Sequence, residues 1–360
     1  MRISRLLALG VTLAARPSDN SDDCGMFRGG PEHLGVYHSA NSTLRQVTWR
    51  FRTGDPVVSS PLAHGDAICV GSSDPFIHAV NRRTGALRWK FETRGPVNSS
   101  PAFSMARCTH SASTAGSTRW MRRQGASASP AVADGVVYIG SWDRNMYALD
   151  ATTGKERLRF QTGDDTTIYN QVGIASSAAV SNGVVYFGCR DGYFYALTAA
   201  TGLLRRRHDN MMGWVIASPA VVDGVVYFPT SDGTRFKALD AATGALRYSV
   251  ENKAVSFSSP AVVTDVANVG SSDGWLHGVD LRTGAPSARF QSDGSRHNAA
   301  KYIDENGRIK SSALYPDFTL DGMIIGVHRM FTLGSILSSP VVMDGTLYVG
   351  STDRNIYALR

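Results

Sequence analysis

Residues 129–163 read SPAVADGVVYIGSWDRNMYALDATTGKERLRFQTG and divide into short apolar runs separated by turn residues. The runs are rich in β-branched and aromatic residues, which favour strands. Asp134-Gly135 is a two-residue turn that accepts positive φ, the strongest short-range hairpin signal. The pattern predicts one antiparallel sheet with strands at Ser129 to Ala133, Val136 to Gly140, Met146 to Asp150 and Arg157 to Gln161.

The same frame recurs along the chain at intervals of about 40 residues. Seven units open with Ser-Pro or an equivalent pair, at Ser60, Ser100, Ser129, Ser177, Ser218, Ser259 and Ser339. The first turn recurs at Asn182-Gly183, Asp223-Gly224 and Asp344-Gly345. Four short strands in each repeat of this length indicate the blades of an all-β propeller.

The two ends of the repeat region complement each other. The last unit stops at Arg360, after its third strand, and a stray fourth-strand pattern lies at Val47 to Phe51, before the first unit. An unpaired sheet edge would invite aggregation, so the N-terminal strand is expected to complete the last blade and close the ring. Seven openings and one spare strand predict seven four-stranded antiparallel blades.

One interval is twice the usual length, because the openings at Ser259 and Ser339 are 80 residues apart. We interpret residues 291–335 as an insertion, with a hairpin turn expected at Asn306-Gly307. A divergent eighth blade is the alternative.

Residues 104–128 depart from the repeat. They contain Arg107, Arg119, Arg122 and Arg123, no acidic residue and no strand alternation. Trp120 and Met121 are each encoded by a single codon, which fixes part of the coding sequence. A shift of the reading frame by one base there, with one choice of the neighbouring codons, encodes Leu-Asp-Ala-Ala-Thr-Gly, the corner sequence of the repeat. The segment is therefore a frameshift, a sequencing artefact or a genuine divergent loop.

Composition restricts the class of protein. The 360 residues include 36 glycines and only 19% charged residues, as expected for many tight turns. The net charge of +7 is not arranged as a basic stripe interleaved with aromatic residues, which argues against nucleic-acid binding. Residues 1–22 form a signal-like or disordered N-terminus, in which two arginines precede a short apolar run. This pattern predicts a signal peptide and a periplasmic or extracellular protein without a membrane span.

Residue types with catalytic or metal-binding chemistry are scattered. The four cysteines, Cys24, Cys69, Cys108 and Cys189, form no C-x-x-C motif and are expected to be isolated thiols. His78 and His277 occupy the same repeat position beside the third-strand core. The sequence assigns no catalytic residue and no metal ligand, and it leaves any cofactor-binding residues unknown.

The repeat resembles the pyrroloquinoline-quinone-type (PQQ-like) propeller family over residues 23–360. The family's corner, A-x-D-x-x-T-G with a tryptophan four residues on, is matched most closely from Ala79 to Trp89, where Asn81 replaces the aspartate. Three further corners keep the aspartate and lose the tryptophan, with Asp150, Asp240 and Asp280.

The resemblance implies two functions. The family's enzymes are quinoprotein dehydrogenases that bind PQQ and calcium, whereas its non-enzymatic members look like binding scaffolds, including the lipoprotein subunit of the outer-membrane protein assembly machine. The adjacent cysteine pair common in the enzymes is not present in this sequence. We therefore expect a monomeric, non-catalytic scaffold of the cell envelope with protein partners and no cofactor. A PQQ-dependent dehydrogenase, with PQQ and calcium, is the alternative.

Overall fold

The computed structural model describes residues 27–360 except 41, 94, 98–99, 105–106, 111–127, 164–172, 212, 232, 253 and 318. The described strands form antiparallel blades in chain order, as the repeat predicts. Blade 1 comprises Leu62–His64, Ala67–Gly71, Phe76–Asn81 and Leu87–Glu92, and blade 2 comprises Pro101–Ser104 and Arg107–His110. Blade 3 comprises Ala131–Ala133, Val136–Gly140, Asn145–Asp150 and Glu156–Gln161, close to the limits predicted from the sequence.

The remaining blades repeat the same order of strands. Blade 4 comprises Ala179–Ser181, Val184–Gly188, Tyr193–Thr198 and Leu204–Asp209, and blade 5 comprises Ala220–Val222, Val225–Pro229, Arg235–Asp240 and Leu246–Glu251. Blade 6 comprises Ala261–Val263, Val266–Gly270, Trp275–Asp280 and Pro286–Gln291, and blade 7 comprises Val341–Met343, Thr346–Gly350, Asn355–Leu359 and Val47–Arg52. Five blades are thus four-stranded, and blade 6 carries a fifth strand, Val36–Tyr37, paired parallel to Ala261–Val263. Blade 2 has two strands within the described residues.

Local turn chemistry explains why each blade forms. Asp134 and Gly135 both have positive φ, 49° and 71°, as a type I′ hairpin turn requires. At the corner between the third and fourth strands, the Asp150 carboxylate accepts hydrogen bonds from the backbone amides of Thr152 and Thr153. Arg157 also donates to this carboxylate, and together these bonds hold the pKa of Asp150 below its usual range. The repeated aspartates are therefore turn-forming residues.

The opening serines join neighbouring blades. The Ser177 amide donates to the Ser218 hydroxyl at 3.0 Å, and the Ser218 amide donates to the Ser259 hydroxyl at 2.9 Å. The same bond links Ser129 to Ser177, Ser259 to Ser339 and Ser339 to Ser60. Each bond satisfies a buried amide that lies outside any sheet ladder, which explains why serine recurs at this position.

The N-terminal strand completes the last blade. Val47–Arg52 pairs antiparallel with Asn355–Leu359, and Arg52 lies opposite Asn355. Trp49 on this strand donates from its indole nitrogen to the Arg82 carbonyl of blade 1 at 2.8 Å. Closure of the whole ring stays a prediction, because the connection from blade 2 to blade 3 includes residues outside the described ranges.

The long interval between blades 6 and 7 is mainly helical. It contains the helices Asp293–Tyr302, Ser311–Leu314 and Leu320–Thr332. The Ser259 amide nevertheless bonds directly to the Ser339 hydroxyl, so blades 6 and 7 are neighbours in space. Within its described residues the stretch contains no four-stranded sheet, which favours an insertion over a divergent eighth blade. The chain turns at Asn306-Gly307, as expected, and Ile303 and Ile309 on either side of the turn form an isolated antiparallel bridge.

The segment before the closing strand crosses the innermost strands of four blades. The amides of Val132, Val180, Val221 and Val262 donate to the carbonyls of Pro31, Glu32, Leu34 and Gly35, respectively. Arg28 is buried in this segment and donates to the carbonyls of His33 and Pro219. Burial lowers the pKa of the Arg28 guanidinium to about 10. The segment therefore binds blades 3 to 6 together through backbone bonds.

His33, in the same segment, makes the stability of the fold dependent on pH. Burial, with a smaller contribution from the Arg28 charge, lowers the pKa of His33 to about 3. An unfolded histidine titrates near pH 6.5, so below that pH the unfolded state binds a proton that the native state does not. Stability contributed by neutral His33 is therefore present above pH 6.5 and is lost as the pH falls toward 3.

Between pH 7 and pH 5, the free energy of unfolding should fall by about 2 kcal/mol less in His33→Gln than in the unmodified protein. Urea unfolding at both pH values measures the loss. The control is His297→Gln, which changes an exposed histidine and should leave the loss unchanged. Equal losses in His33→Gln and the unmodified protein would contradict the interpretation.

Candidate functional site

One end of the propeller carries the loops that connect successive blades. On this face, several of the described loops between blades donate a backbone hydrogen bond to the turn between the second and third strands of the preceding blade. Examples are Val57 to the Ser351 carbonyl, Ile174 to the Ser141 carbonyl and Ile336 to the Ser271 carbonyl, at 3.0–3.1 Å. We call this face the loop end. The helical insertion lies here, and insertions in repeat folds commonly form binding faces.

A cleft of about 930 Å³ opens at the loop end between the insertion and blade 7. Its lining carries charges of both signs and two histidines. The residues that supply them are Arg50, Arg52, Asp55, Asp293, His297, His328, Asp353 and Arg354. Arg50 and Asp293 form an ion pair at 2.6 Å across the cleft wall, with the arginine half exposed. The cleft is wide enough for a small molecule or an extended peptide segment.

The first inserted helix is attached firmly to blade 7. The Gly294 amide donates to the Asp353 carboxylate at 3.0 Å, and the Asp293 amide donates to the Tyr357 hydroxyl at 2.9 Å. The Tyr357 hydroxyl in turn donates to Asp353 at 2.6 Å. Ser292 caps the helix by accepting from the Ser295 amide. This wall of the cleft is therefore preformed.

The helix Leu320–Thr332 has an unusual distribution of side chains. Gly322 and Gly326 are buried, and a Cβ atom at Gly326 would overlap the Tyr315 ring. Four aliphatic side chains point to solvent, with exposed fractions of 41–53%: Met323, Ile324, Ile325 and Val327. A surface helix normally buries its aliphatic residues, so this apolar face suits contact with another molecule. Met323, Ile324 and Val327 lie within about 100° of one another around the helix axis, and we call these three residues the helix face.

The aspartates in the turn between the second and third strands bond to side chains of the third strand. Tyr147 donates from its hydroxyl to Asp143 and Tyr195 donates to Asp191, each at 2.5 Å. His78 takes the tyrosine's place in blade 1, and its Nε2 lies 3.2 Å from Asp74. Within the described ranges, no group of three or more His, Cys, Asp or Glu side chains is arranged to hold a metal ion. These regular carboxylates are structural partners of buried rings.

Two tryptophans and an arginine meet at the loop end of blades 3 and 4. The Arg190 guanidinium carbon lies 3.8 Å from the centre of the Trp214 ring and 5.2 Å from that of the Trp142 ring. Arg190 is 8% exposed. Cation–π contacts account for this arrangement. PQQ would need a free aromatic floor and a cation held by several oxygens, and the described residues of this cluster do not fit those requirements.

Cys69 and Cys189, whose side chains the structure describes, are buried thiols. Both are free, as expected from their spacing. Burial raises the pKa of the Cys189 thiol to about 12, so the reactive thiolate is disfavoured at neutral pH. Cys24 and the side chain of Cys108 lie outside the part of the chain that the structure describes.

Sequence reasoning missed the cleft, the helix face and the cluster of Trp142, Arg190 and Trp214. The apolar run Met323 to Val327 was a possible signal for the helix face, but its glycines gave no indication of which side is buried. The cleft depends on contacts between residues more than 240 positions apart, such as Arg50 and Asp293, which no local pattern reveals.

No helix in the described part of the chain is both long and apolar enough to cross a bilayer.

Comparisons with known proteins agree with the propeller repeat. A family model described as outer membrane protein assembly factor BamB matches residues 38–207 and 166–360. A search of curated protein sequences found no match.

Similar solved structures share the fold at low sequence identity. BamB from Moraxella catarrhalis is 15% identical, with a TM-score of 0.53, over 91% of this chain and 96% of that one. A europium-containing methanol dehydrogenase is 12% identical, with a TM-score of 0.56, over 92% and 90%. The computationally designed Ika8 protein is 15% identical, with a TM-score of 0.54, over 87% and 99%. Because the family model covers nearly the whole repeat region, this chain belongs to the family of PQQ-like β-propellers described as outer membrane protein assembly factor BamB.

Proposed function

We propose that the chain is a non-catalytic scaffold of the cell envelope that binds a protein partner at the loop end. The observation that carries the proposal is the helix face, in which Met323 is 53% and Ile324 is 49% exposed. Burying such side chains on association would contribute about 25 cal/mol per Å² of apolar area. A partner that covers the helix face would also meet the cleft, because His328 and Phe331 of the same helix line it.

The shape and charge of the neighbouring cleft favour a polypeptide partner. The cleft is concave and offers Arg50, Arg354 and Asp353 within one lining, so both signs of charge are available. A flat anionic bilayer would be matched by a basic, convex surface. A polypeptide carries donors, acceptors and both charges, and it can enter a concave site. The family's description as an assembly factor is consistent with a protein partner.

Site-specific photo-crosslinking tests this proposal. A photoreactive residue at Ile324 is expected to give a discrete adduct in envelope fractions, whereas one at Leu204, which is 44% exposed on blade 4, should not. The double variant Ile324→Gln/Val327→Gln should lose at least about 90% of binding to the partner identified from that adduct, because the buried apolar contacts are removed. Its melting temperature should be unchanged, since both side chains are exposed.

Two outcomes would contradict the proposal. Identical adduct patterns from positions 324 and 204 would remove the helix face as a specific site. Binding to phosphatidylglycerol-containing vesicles that depends on Ile324 and Val327, with no protein adduct, would indicate a membrane surface instead.

The proposal that the protein is non-catalytic is tested by a separate activity assay. The purified protein should show no dye-linked oxidation of alcohols or sugars after incubation with PQQ and calcium or europium. Turnover above that of the same mixture without protein would support the dehydrogenase alternative.

A further inference from the structure

A groove of about 700 Å³ follows the junction between blades 6 and 7. One wall is the fourth strand of blade 6, from Ser287 to Gln291, and the other is the segment from Ser42 to Val47 that leads into the closing strand. Four residue steps at about 3.3 Å each give a length of about 13 Å along the strand. The groove is therefore elongated. We call it the arginine groove, for the side chains described below.

The groove exists because one docking side chain is small. At four other junctions, the third residue of the fourth strand packs on the corner glycine of the next blade, 2.7–2.9 Å from where a Cβ atom at that glycine would lie. These docking residues are Trp49, Leu158, Arg206 and Tyr248. In blade 6 the third residue is Ala288, whose methyl group leaves the space beside blade 7 unfilled.

Three arginine side chains line the groove without a counter-charge. They are Arg45, Arg289 and Arg296, and all three are exposed. None of them forms an ion pair with another residue that the structure describes. The described lining includes no aspartate or glutamate, and the nearby Asp293 is already paired with Arg50 at 2.6 Å. The groove therefore concentrates positive charge and favours an anionic ligand.

The sequence of blade 6 explains why Arg289 has no carboxylate partner. In blade 3, the fourth residue of the fourth strand, Arg159, pairs with the first residue, Glu156, at 2.7 Å. Blade 6 keeps the arginine as Arg289 but has Pro286 at the first position. The Arg289 guanidinium carbon lies 4.6 Å from the centre of the Trp275 ring, and this contact orients the side chain without using its N–H donors.

The three arginines are spread along the groove. The Arg45 amide donates to the Arg360 carbonyl at 2.9 Å, which places Arg45 beside the corner of blade 7. Arg296 is at the other end, on the first inserted helix, with its guanidinium carbon 5.8 Å from the centre of the Phe290 ring. Arg289 lies between them along the blade 6 strand. This distribution suits an extended chain of negative charges better than one compact anion.

We propose that the arginine groove binds an extended acidic segment of another polypeptide, with carboxylates at alternate positions. In an extended chain, alternate side chains point to the same side and are about 6.6 Å apart, so successive carboxylates would face successive arginines. Each guanidinium can hold a carboxylate through two parallel N–H···O bonds. This inference does not depend on the proposed function, because no residue of the helix face lines the groove.

The structure favours a polypeptide over other anionic chains. Proteins that bind single-stranded nucleic acid stack the bases on free aromatic faces. The Trp275 ring has Arg289 over one face, and the His277 ring lies beside it with the ring centres 6.3 Å apart. A base would have to displace the arginine that binds its phosphate. Carboxylates on an extended peptide need no such surface.

A fluorescently labelled peptide, Ser-Glu-Val-Glu-Val-Glu-Ser, is the probe. The full chain should bind it in an anisotropy titration at about 50 mM NaCl, and added salt should weaken binding because it screens exposed charges. The peptide with glutamine in place of each glutamate should not bind. Ser-Glu-Glu-Glu-Val-Val-Ser has the same composition, but one carboxylate points to the opposite side. It should bind at least about five-fold more weakly.

Substitutions at the groove have matched controls. Arg289→Gln should weaken binding at least about ten-fold, because charge-assisted hydrogen bonds are lost. Arg207→Gln should leave binding unchanged, although Arg207 has the same strand position in blade 4 and lies 4.5 Å from the centre of the Tyr193 ring. Pro286→Glu should also weaken binding about ten-fold, because it supplies the carboxylate that pairs with the equivalent arginine in blade 3. Pro286→Gln should not.

A chemical measurement on the unmodified chain requires no substitution. Phenylglyoxal modifies exposed arginine side chains, and mass spectrometry measures the rate at each position. The acidic peptide should slow modification of Arg289 and Arg296 and should leave Arg207 unaffected. Absence of this protection, or equal binding of the two acidic peptides, would overturn the proposal. Tighter binding of a single-stranded oligonucleotide or of phosphatidylglycerol vesicles, lost in Arg289→Gln, would assign the groove to phosphate groups and would also overturn it.

Discussion

Deletion of residues 47–53 is expected to abolish the stable, soluble fold. The deletion removes the fourth strand of blade 7 and the Trp49 indole that bonds to the Arg82 carbonyl of blade 1. It exposes the edge of Asn355–Leu359, whose side chains are all buried in the intact protein. The combined loss of pairing and packing is comparable with the whole stability of a typical domain, about 5–15 kcal/mol.

Thermal unfolding followed by circular dichroism, together with sedimentation, measures this result. Aggregation is expected because the free edge offers unpaired amides and carbonyls. Arg52→Ser, which changes an exposed side chain of the same strand and keeps its backbone, is the matched control. A deletion variant with the melting temperature and solubility of the control would show that the strand does not stabilise the propeller.

Phe228→Ala is expected to produce the largest loss of stability from a single substitution considered in this protein. Phe228 in blade 5 is fully buried and stacks on Phe194 of blade 4, with ring centres 4.2 Å apart and planes 6° apart. The substitution removes a ring from a close-packed junction and leaves a cavity. Such changes cost about 3–5 kcal/mol.

Equilibrium unfolding in urea measures the difference. Phe91→Ala is the control, because the same chemical change at a side chain that is 59% exposed should alter stability by less than about 0.5 kcal/mol. Similar losses in both variants would mean that the junction between blades 4 and 5 can relax to fill the cavity.

Much of the fold follows from local patterns. The turn Asp134-Gly135 and the corner at Asp150 fix their own conformations through positive φ and side-chain bonds to the backbone, so the limits of the blade 3 strands are predictable to within two residues. The spare strand Val47 to Phe51 was recognisable as a fourth strand because its pattern matches the fourth strands of the repeat, and its Trp49 matches Trp89. These features require information from only a few neighbouring residues.

The insertion marks the limit of local reasoning. Asn306-Gly307 was correctly expected to turn the chain, but the helices Asp293–Tyr302 and Leu320–Thr332 were not predicted. The second of these helices buries glycines against Tyr315 and exposes its aliphatic residues. Its periodicity alone would have placed those aliphatic residues inside, because a hydrophobic pattern does not specify which neighbour is present.

The sequence by itself determined the repeat, the strands, the turns and the source of the last blade's fourth strand, because each depends on short-range conformational preferences. Only the tertiary structure decided which side chains are enclosed by neighbouring blades. It placed Arg28 and His33 among the inner strands, brought Arg50 to Asp293 across the cleft, and left Trp89 and Phe91 exposed. Burial and electrostatic environment arise from contacts between residues far apart in the chain, so the binding surfaces follow from how the blades are assembled.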